Sequence, residues 1–331
     1  MLALTHSILR ETVDTKIETI PTYSISKVLY MVHKFSGKPT AEQFSAFHTC
    51  SHLMDSSVMK QSNTAEFPQG LVRPDMATYY DWSEFDCVYT EEDHIRLRLD
   101  TVFASDWKTP FPTVTRASFT NLDGSVNDAD VMCFTEEDIK AVEEEHALTG
   151  DSDNEPFLCR KYKSSTVLTL PFLNGVEVQF ILPDVGMNIV DDYATLMADM
   201  YTYFEFYNVK ATRVVIPKLD HTTNFSMSEF MKRAGHFDTL WNKDERSEFF
   251  SKLLTDPKNH VKLISFDYKA KLVMDEKGST FETELDMDCY VSRGCGGPEI
   301  DEYIPFELNR PYLVRFLYQG IELLMSAVKS M

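Results

Sequence analysis

The residues best able to do chemistry are scattered through the chain. His48 and His52 stand four apart with Cys50 between them, a spacing that would set two metal ligands on one helix face. Cys50 would point away from that face and no third ligand accompanies the pair, so the histidines read as partly buried structural residues. Cys295 lies in the glycine-rich run Arg293-Gly294-Cys295-Gly296-Gly297-Pro298, where exposure could favour a reactive thiolate. No His or Lys neighbours it in sequence, and a loop thiol is the reading taken over a catalytic one. Asp151, Asp153 and Glu155 alternate like the start of a calcium loop. The sixth position of that loop is not glycine, and Tyr162 occupies the twelfth. Carboxylates are plentiful, but none sits in a motif that would make it a general acid or base. These residues predict no metal site, no cofactor and no enzyme.

One stretch is better organised than any of these. In Val273–Tyr303, Ser279, Phe281, Thr283, Leu285 and Met287 fall on one face, and Thr280, Glu282, Glu284, Asp286 and Asp288 fall on the other. That period of two is what a half-buried strand needs. The segment therefore joins an acid-faced strand to a glycine-rich tip.

The elements that must hold it can be taken in order. Residues 8–20 are of mixed polarity and predict a short helix. Pro21 to Ser26 open a second helix with an apolar face of Ile25, Val28, Leu29, Met31 and Val32, stopped by Gly37-Lys38-Pro39. Thr40 caps a further helix, with Glu42 in its first turn. Residues 50–90 read as loop with marginal helix. The Arg/Leu alternation of His94–Phe103 predicts a strand, and Ala129–Phe134 another. An acidic insert at about 135–156 predicts a helix over 137–148, then a loop. Ser165–Phe172 and Glu177–Leu182 predict a hairpin turning at Asn174-Gly175. A helix over about 190–205, a strand Lys210–Ile216, a helix Ser226–Ala234 ended by Gly235, and a long strand Val261–Met274 follow. Tyr312–Leu317 and Glu322–Val328 close the chain as strands turning at Gln319-Gly320. Helices early and paired strands late predict an α+β fold rather than alternating βαβ units.

Composition narrows the function classes. The chain has 331 residues, 43% of them hydrophobic, enough for a large core. A net charge of −20 argues against nucleic acid or an anionic membrane as partner. Six widely spaced cysteines, without CxxC pairs, predict free thiols; a Cys289–Cys295 pairing stays open. The N-terminus lacks the pattern of a signal peptide and no run reaches transmembrane length, so an intracellular or cytoplasmic location is expected.

Laid end to end, these blocks resemble one family. Val215-Ile216-Pro217-Lys218 through Asn224-Phe225-Ser226 to Gly235 is similar to the serpin block "LPKF…LG", without a gap. Asp267-Tyr268-Lys269-Ala270 through Lys277-Gly278-Ser279 is similar to the family's "HKAFIEVNEEGT" strand and hinge. Leu170-Pro171-Phe172 with Ile181-Leu182-Pro183 resembles "LPY…LLP". Phe103 with Trp107, Pro110 and Phe111 resembles "YFKGxWxxPF", and Arg310-Pro311-Tyr312-Leu313 with Leu323-Leu324-Met325 resembles "HPFLF…ILFMG". Pro21–Gln43 follows the "SPLSI…TAEQ" helix more loosely. The order is collinear over roughly residues 20–330.

The resemblance implies one serpin-like domain, residues 1–331. It would be α+β, with a large mostly antiparallel central sheet, smaller additional sheets and surrounding helices. The region between Gln43 and the strand of Leu99 is shorter than in the family, which implies reduced or missing elements, including the helix that crosses the main sheet. Family spacing sets a reactive-loop region at about 276–308, with its hinge at Glu276, Lys277, Gly278, Ser279, Thr280 and Phe281. Sheet-opening positions fall on Ser24, Leu99, Trp107 and Tyr268. Leu99 and Tyr268 replace the family's Asn and His, so its polar latch is expected to be largely apolar. Counting from Gly278 puts the scissile residue at Ser292, before Arg293; counting back from Pro311 puts it near Ile300. A family hinge carries small residues, whereas Phe281 and Glu282 stand here. A non-trapping member, with its hinge already inserted as a strand and only about Val291–Tyr303 exposed, is the expectation. A working suicide inhibitor of a serine or cysteine protease, trypsin-like if Arg293 is the bait, is the alternative. The implied partner is a protease or another protein met through the loop, by a monomer.

Overall fold

The structure is a computed structural model that describes residues 2–36, 58–70, 85–91, 95–149, 156–201, 206–233, 251–256, 265–284 and 300–331. The chain begins with α1 (Leu2–Glu11), β1 (Ile17–Ile20) and α2 (Thr22–Phe35). Strands β2 (Lys60–Pro68), β3 (Asp86–Thr90), β4 (Arg96–Asp106), β5 (Thr113–Thr120) and β6 (Val126–Phe134) follow. Next come α3 (Glu136–Thr149), β7 (Leu158–Lys161), β8 (Ser165–Pro171), β9 (Glu177–Pro183) and α4 (Tyr193–Tyr201). The last third holds β10 (Tyr207–Pro217), β11 (Leu219–Ser226), α5 (Met227–Arg233), β12 (Asp267–Met274) and β13 (Gly278–Glu284). It ends in β14 (Ile300–Glu307), β15 (Tyr312–Tyr318) and β16 (Ile321–Val328).

Two sheets result. A six-stranded sheet runs β11-β12-β13-β4-β2-β3, antiparallel except where β3 lies parallel to β2. A ten-stranded sheet runs β1-β16-β15-β9-β8-β7-β10-β6-β5, with β14 parallel beside β10. In the six-stranded sheet the pleat separates two environments. Tyr268, Ala270, Leu272 and Met274 of β12 are buried, while Asp267, Lys269 and Lys271 are exposed. β15 and β16 are covered on both faces, and their sequences, YLVRFLY and IELLMSAV, are correspondingly apolar almost throughout. They join at Gln319-Gly320, both left-handed, as a two-residue hairpin of the primed type requires. One buried cluster gathers Phe103, Trp107, Phe172, Phe281 and Phe316. A second packs Ile25, Leu29 and Val32 of α2 against Leu99, Tyr268 and Ala270.

The α+β class, the acidic helix and the Asn174-Gly175 hairpin agree with the sequence reading. Three expectations are corrected. Residues 8–20 are not one helix: α1 ends at Glu11 and β1 follows at Ile17, its four residues all buried. The span 50–90 contains β2 and β3. Among the described residues of the first half, strands β1 to β6 occupy more of the chain than α1 to α3, so helices do not dominate there. The caps expected at residues 37–42 and at Ala234-Gly235, and the start of the long strand at Val261, lie outside the described residues.

Candidate functional site

The site is the turn between β12 and β13 together with the strand that follows it. Asp275 builds the turn. Its Oδ1 accepts from the amides of Lys277 at 2.9 Å and Gly278 at 3.2 Å, and its own amide donates to the Gly278 carbonyl at 3.0 Å. The outward carbonyls are taken up by the segment after β4. The Trp107 indole Nε1 donates to the Asp275 carbonyl at 2.8 Å. The Phe111 amide donates to Glu276 and the Trp107 amide to Lys277, each at 2.9 Å. Lys218 pairs with the Glu276 carboxylate and holds it below the usual carboxylate range, chiefly by hydrogen bonding. Gly278 is required by space: a Cβ there would run into the Ser105 carbonyl and lie 2.8 Å from Asp106 Cα.

β13 is a full strand of the sheet. Leu272, Val273 and Met274 of β12 stand opposite Phe281, Thr280 and Ser279, and the same three residues face Phe103, Ala104 and Ser105 of β4 on the other side. Ser279, Phe281 and Thr283 point inward and are buried; Thr280 and Glu282 point outward and are exposed. Phe281 is 1% exposed and stacks on Phe103 with ring centroids 4.7 Å apart. Phe316 meets it edge-on at 5.3 Å. Trp107 extends the cluster through a stacked contact with Phe172 at 4.3 Å. Ser279 Oγ donates back to the Val273 carbonyl at 2.8 Å.

The buried polar groups beneath the strand are partnered. Thr283 Oγ1 meets Ser24 Oγ of α2 at 3.2 Å and makes a close contact with Thr101 Oγ1 of β4. Thr101 Oγ1 also lies 3.2 Å from the Thr283 carbonyl. Leu99 is buried among apolar neighbours, as its type requires. Tyr268 is buried too, but its hydroxyl donates to Glu18 Oε1 at 2.9 Å. The expected loss of the polar latch is therefore corrected. Ser24, Thr101 and Thr283 form one hydroxyl cluster, and Tyr268 with Glu18 forms another. Burial holds the Tyr268 phenol well above its ordinary range.

Of the predicted positions, Glu276 to Phe281, Ser24 and Trp107 thus come together, with Thr283 of the same strand. Ile300 is elsewhere: it opens β14, its backbone opposite Asn208. Ser292, Arg293, Leu285, Met287, His48, Cys50, His52, Cys289 and Cys295 lie outside the described residues, as do Asp151, Asp153 and Glu155. Among the described residues, no group of three or more His, Cys, Asp or Glu could hold a metal, and no helix is long and apolar enough to cross a membrane. Sequence reasoning missed Thr101, Asp275, Lys218 and Glu18. The first three sit beside segments already singled out by family spacing. Glu18 has no signal beyond being an acid between Ile17 and Ile20.

On the outer face, Lys271 stands opposite Glu282, and Glu282 opposite Val102, which is 41% exposed. Only residues 91–95 join β3 to β4. Among the described residues, no helix lies between β3 and β4.

The sequence model described as Serpin (serine protease inhibitor) matches residues 100–322. No curated protein matches the chain by sequence. Solved structures match over nearly the whole length. An Arabidopsis serpin, AtSerpin1, in the native stressed conformation is 16% identical, covering 99% of this chain and 95% of that one, at a TM-score of 0.69. Tengpin, a thermophilic serpin in the latent state, is 15% identical, covering 100% and 96%, at 0.66. A cleaved, loop-inserted ovalbumin mutant is 11% identical, covering 99% and 98%, at 0.68. Stressed, latent and cleaved forms score alike, so the likeness concerns the fold and not the loop's state.

Proposed function

Because the chain belongs to the serpin family, we propose that it is a non-trapping member. It would meet a protease or another protein through the segment that links β13 to β14, as a binding module or as a cleavable blocker. Serpins in general inhibit proteases and are not enzymes, and the chain is read in that frame. In a trapping serpin the cleaved hinge enters the sheet and drags the acyl-enzyme with it. The driving force is a completed ladder and newly buried side chains. The observation carrying the proposal is that Gly278–Glu284 already occupies that ladder between β12 and β4. Those seven residues have no such gain left to release. Ser292 and Arg293 remain the proposed contact and scissile residues on family spacing, with Ile300 the less apt choice because it begins β14. A monomer that engages neither nucleic acid nor membrane fits the net charge of −20.

One observation favours the alternative. Past the Glu284–Asp100 pair, β4 extends to Arg96 and β12 to Asp267, so both neighbours offer ladder beyond Gly278–Glu284. Further insertion below Glu284 would complete more ladder, and that remainder could drive trapping by a suicide inhibitor. Incubation with trypsin-like, elastase-like and caspase-type proteases, followed by denaturing electrophoresis, separates the two. Cleavage or reversible binding without an adduct is expected. A covalent complex that survives denaturation would overturn the proposal.

A further inference from the structure

Glu18 of β1, Tyr268 of β12 and Lys329, just beyond β16, converge where the two sheets adjoin. Glu18 is 2% exposed, Tyr268 3% and Lys329 1%. Tyr268 serves Glu18 Oε1, as described. Lys329 directs its hydrogen bonds to the Thr12 carbonyl and, at 2.9 Å, to Thr15 Oγ1 rather than to Glu18. The single proton of Thr15 Oγ1 is directed to the Thr12 carbonyl at 2.8 Å. Glu18 Oε2 lies 3.5 Å from that same hydroxyl.

Proton arithmetic then separates the two forms of Glu18. A protonated Oε2 can donate to the remaining lone pair of Thr15 Oγ1, while Oε1 accepts from Tyr268. An ionised carboxylate accepts from Tyr268 at 2.9 Å and only at 3.5 Å from the Thr15 hydroxyl, with Thr12 and the charge of Lys329 as further support, and burial outweighs these together. The other charged or titratable groups nearby are Asp14, which acts on Lys329, and His221 of β11, which hydrogen-bonds the backbone of Ile17.

We propose that this cluster is a pH-responsive clasp between β1 and β12: protonated Glu18 completes its hydrogen bonding, and loss of that proton loosens the junction that anchors β12. Burial, opposed mainly by the Tyr268 hydrogen bond, pushes Glu18 up from 4.5 to about 7. Burial likewise pushes Lys329 down from 10.5 to about 8. The signs follow. For an acid whose folded value is raised, stability is greatest below the unfolded value and falls as pH rises through the folded one. For the lysine, stability recovers above pH 8. The clasp is therefore weakest near pH 7 to 8 and tightens on acidification.

The test is thermal and denaturant unfolding of the full chain and of Glu18→Gln at pH 6 and 8. Gln mimics the protonated acid, accepting from Tyr268 and donating to Thr15. Glu18 raises the unfolding constant of the native chain about tenfold between these pH values. Glu18→Gln lacks that increment, and hydrogen exchange in β1 and β12 of the native chain, corrected for intrinsic rate, rises with it. Parallel profiles for the two proteins would overturn the clasp. Tyr268→Phe provides a second arm: without the phenol donor the fall in stability moves to higher pH, and an unmoved profile would also overturn it.

Discussion

Phe281 suits a residue that stays in a sheet far better than one that must leave it and return quickly. Its ring is enclosed by Phe103 and Phe316, and withdrawing it would open a cavity in the aromatic cluster they share with Phe172 and Trp107. Glu282, its neighbour, faces water. The pair makes a sharp comparison. Phe281→Ala is expected to destabilise the uncleaved protein by about 3–5 kcal/mol, as truncation of a buried aromatic does. Glu282→Ala should change it by less than about 0.5 kcal/mol. Denaturant unfolding measures both. Equal, small effects would place Phe281 outside the sheet.

At the scale of elements, β13 gains its position from both ends. The Asp275 turn is bonded to Trp107 and Phe111, and the hydroxyls of Ser24 and Thr101 receive Thr283. Amides of 279–283 should therefore exchange as slowly as those of β12 in the uncleaved protein. Exchange at loop-like rates would contradict the assignment. This strand was legible in the sequence because Ser279, Phe281 and Thr283 alternate with Thr280 and Glu282, and alternation is a local signal. Its polar fastenings were not, because Thr101 and Ser24 lie far away in the chain and only the fold brings them to Thr283. β2 was hidden for a related reason. Its inward positions are Asn63, Ala65 and Phe67, too polar and small to make a pattern, and pairing with β4 rather than propensity makes it a strand. β1 was lost because four residues are too few to show a period, and one of its buried positions is Glu18. The collinear family blocks carry the architecture, whereas the surroundings of Leu99, Tyr268 and Phe281 are set by residues distant in the chain.

The whole molecule is a serpin fold whose main sheet carries its extra strand, and among the described residues no helix lies between β3 and β4 to cover it. Glu282 can then face water opposite Lys271, where a covering helix would have had to bury it. Under the proposed function, the seven seated residues leave that much less free energy for loop cleavage to release. The direct measurement is the melting temperature before and after a single cut between β13 and β14. With the strand already seated, the change should stay within about 3 °C, corresponding to roughly 2 kcal/mol for a chain of this size. A rise of ~10 °C or more would mean that cleavage inserts new strand, and would contradict the account of a hinge already at rest in the sheet.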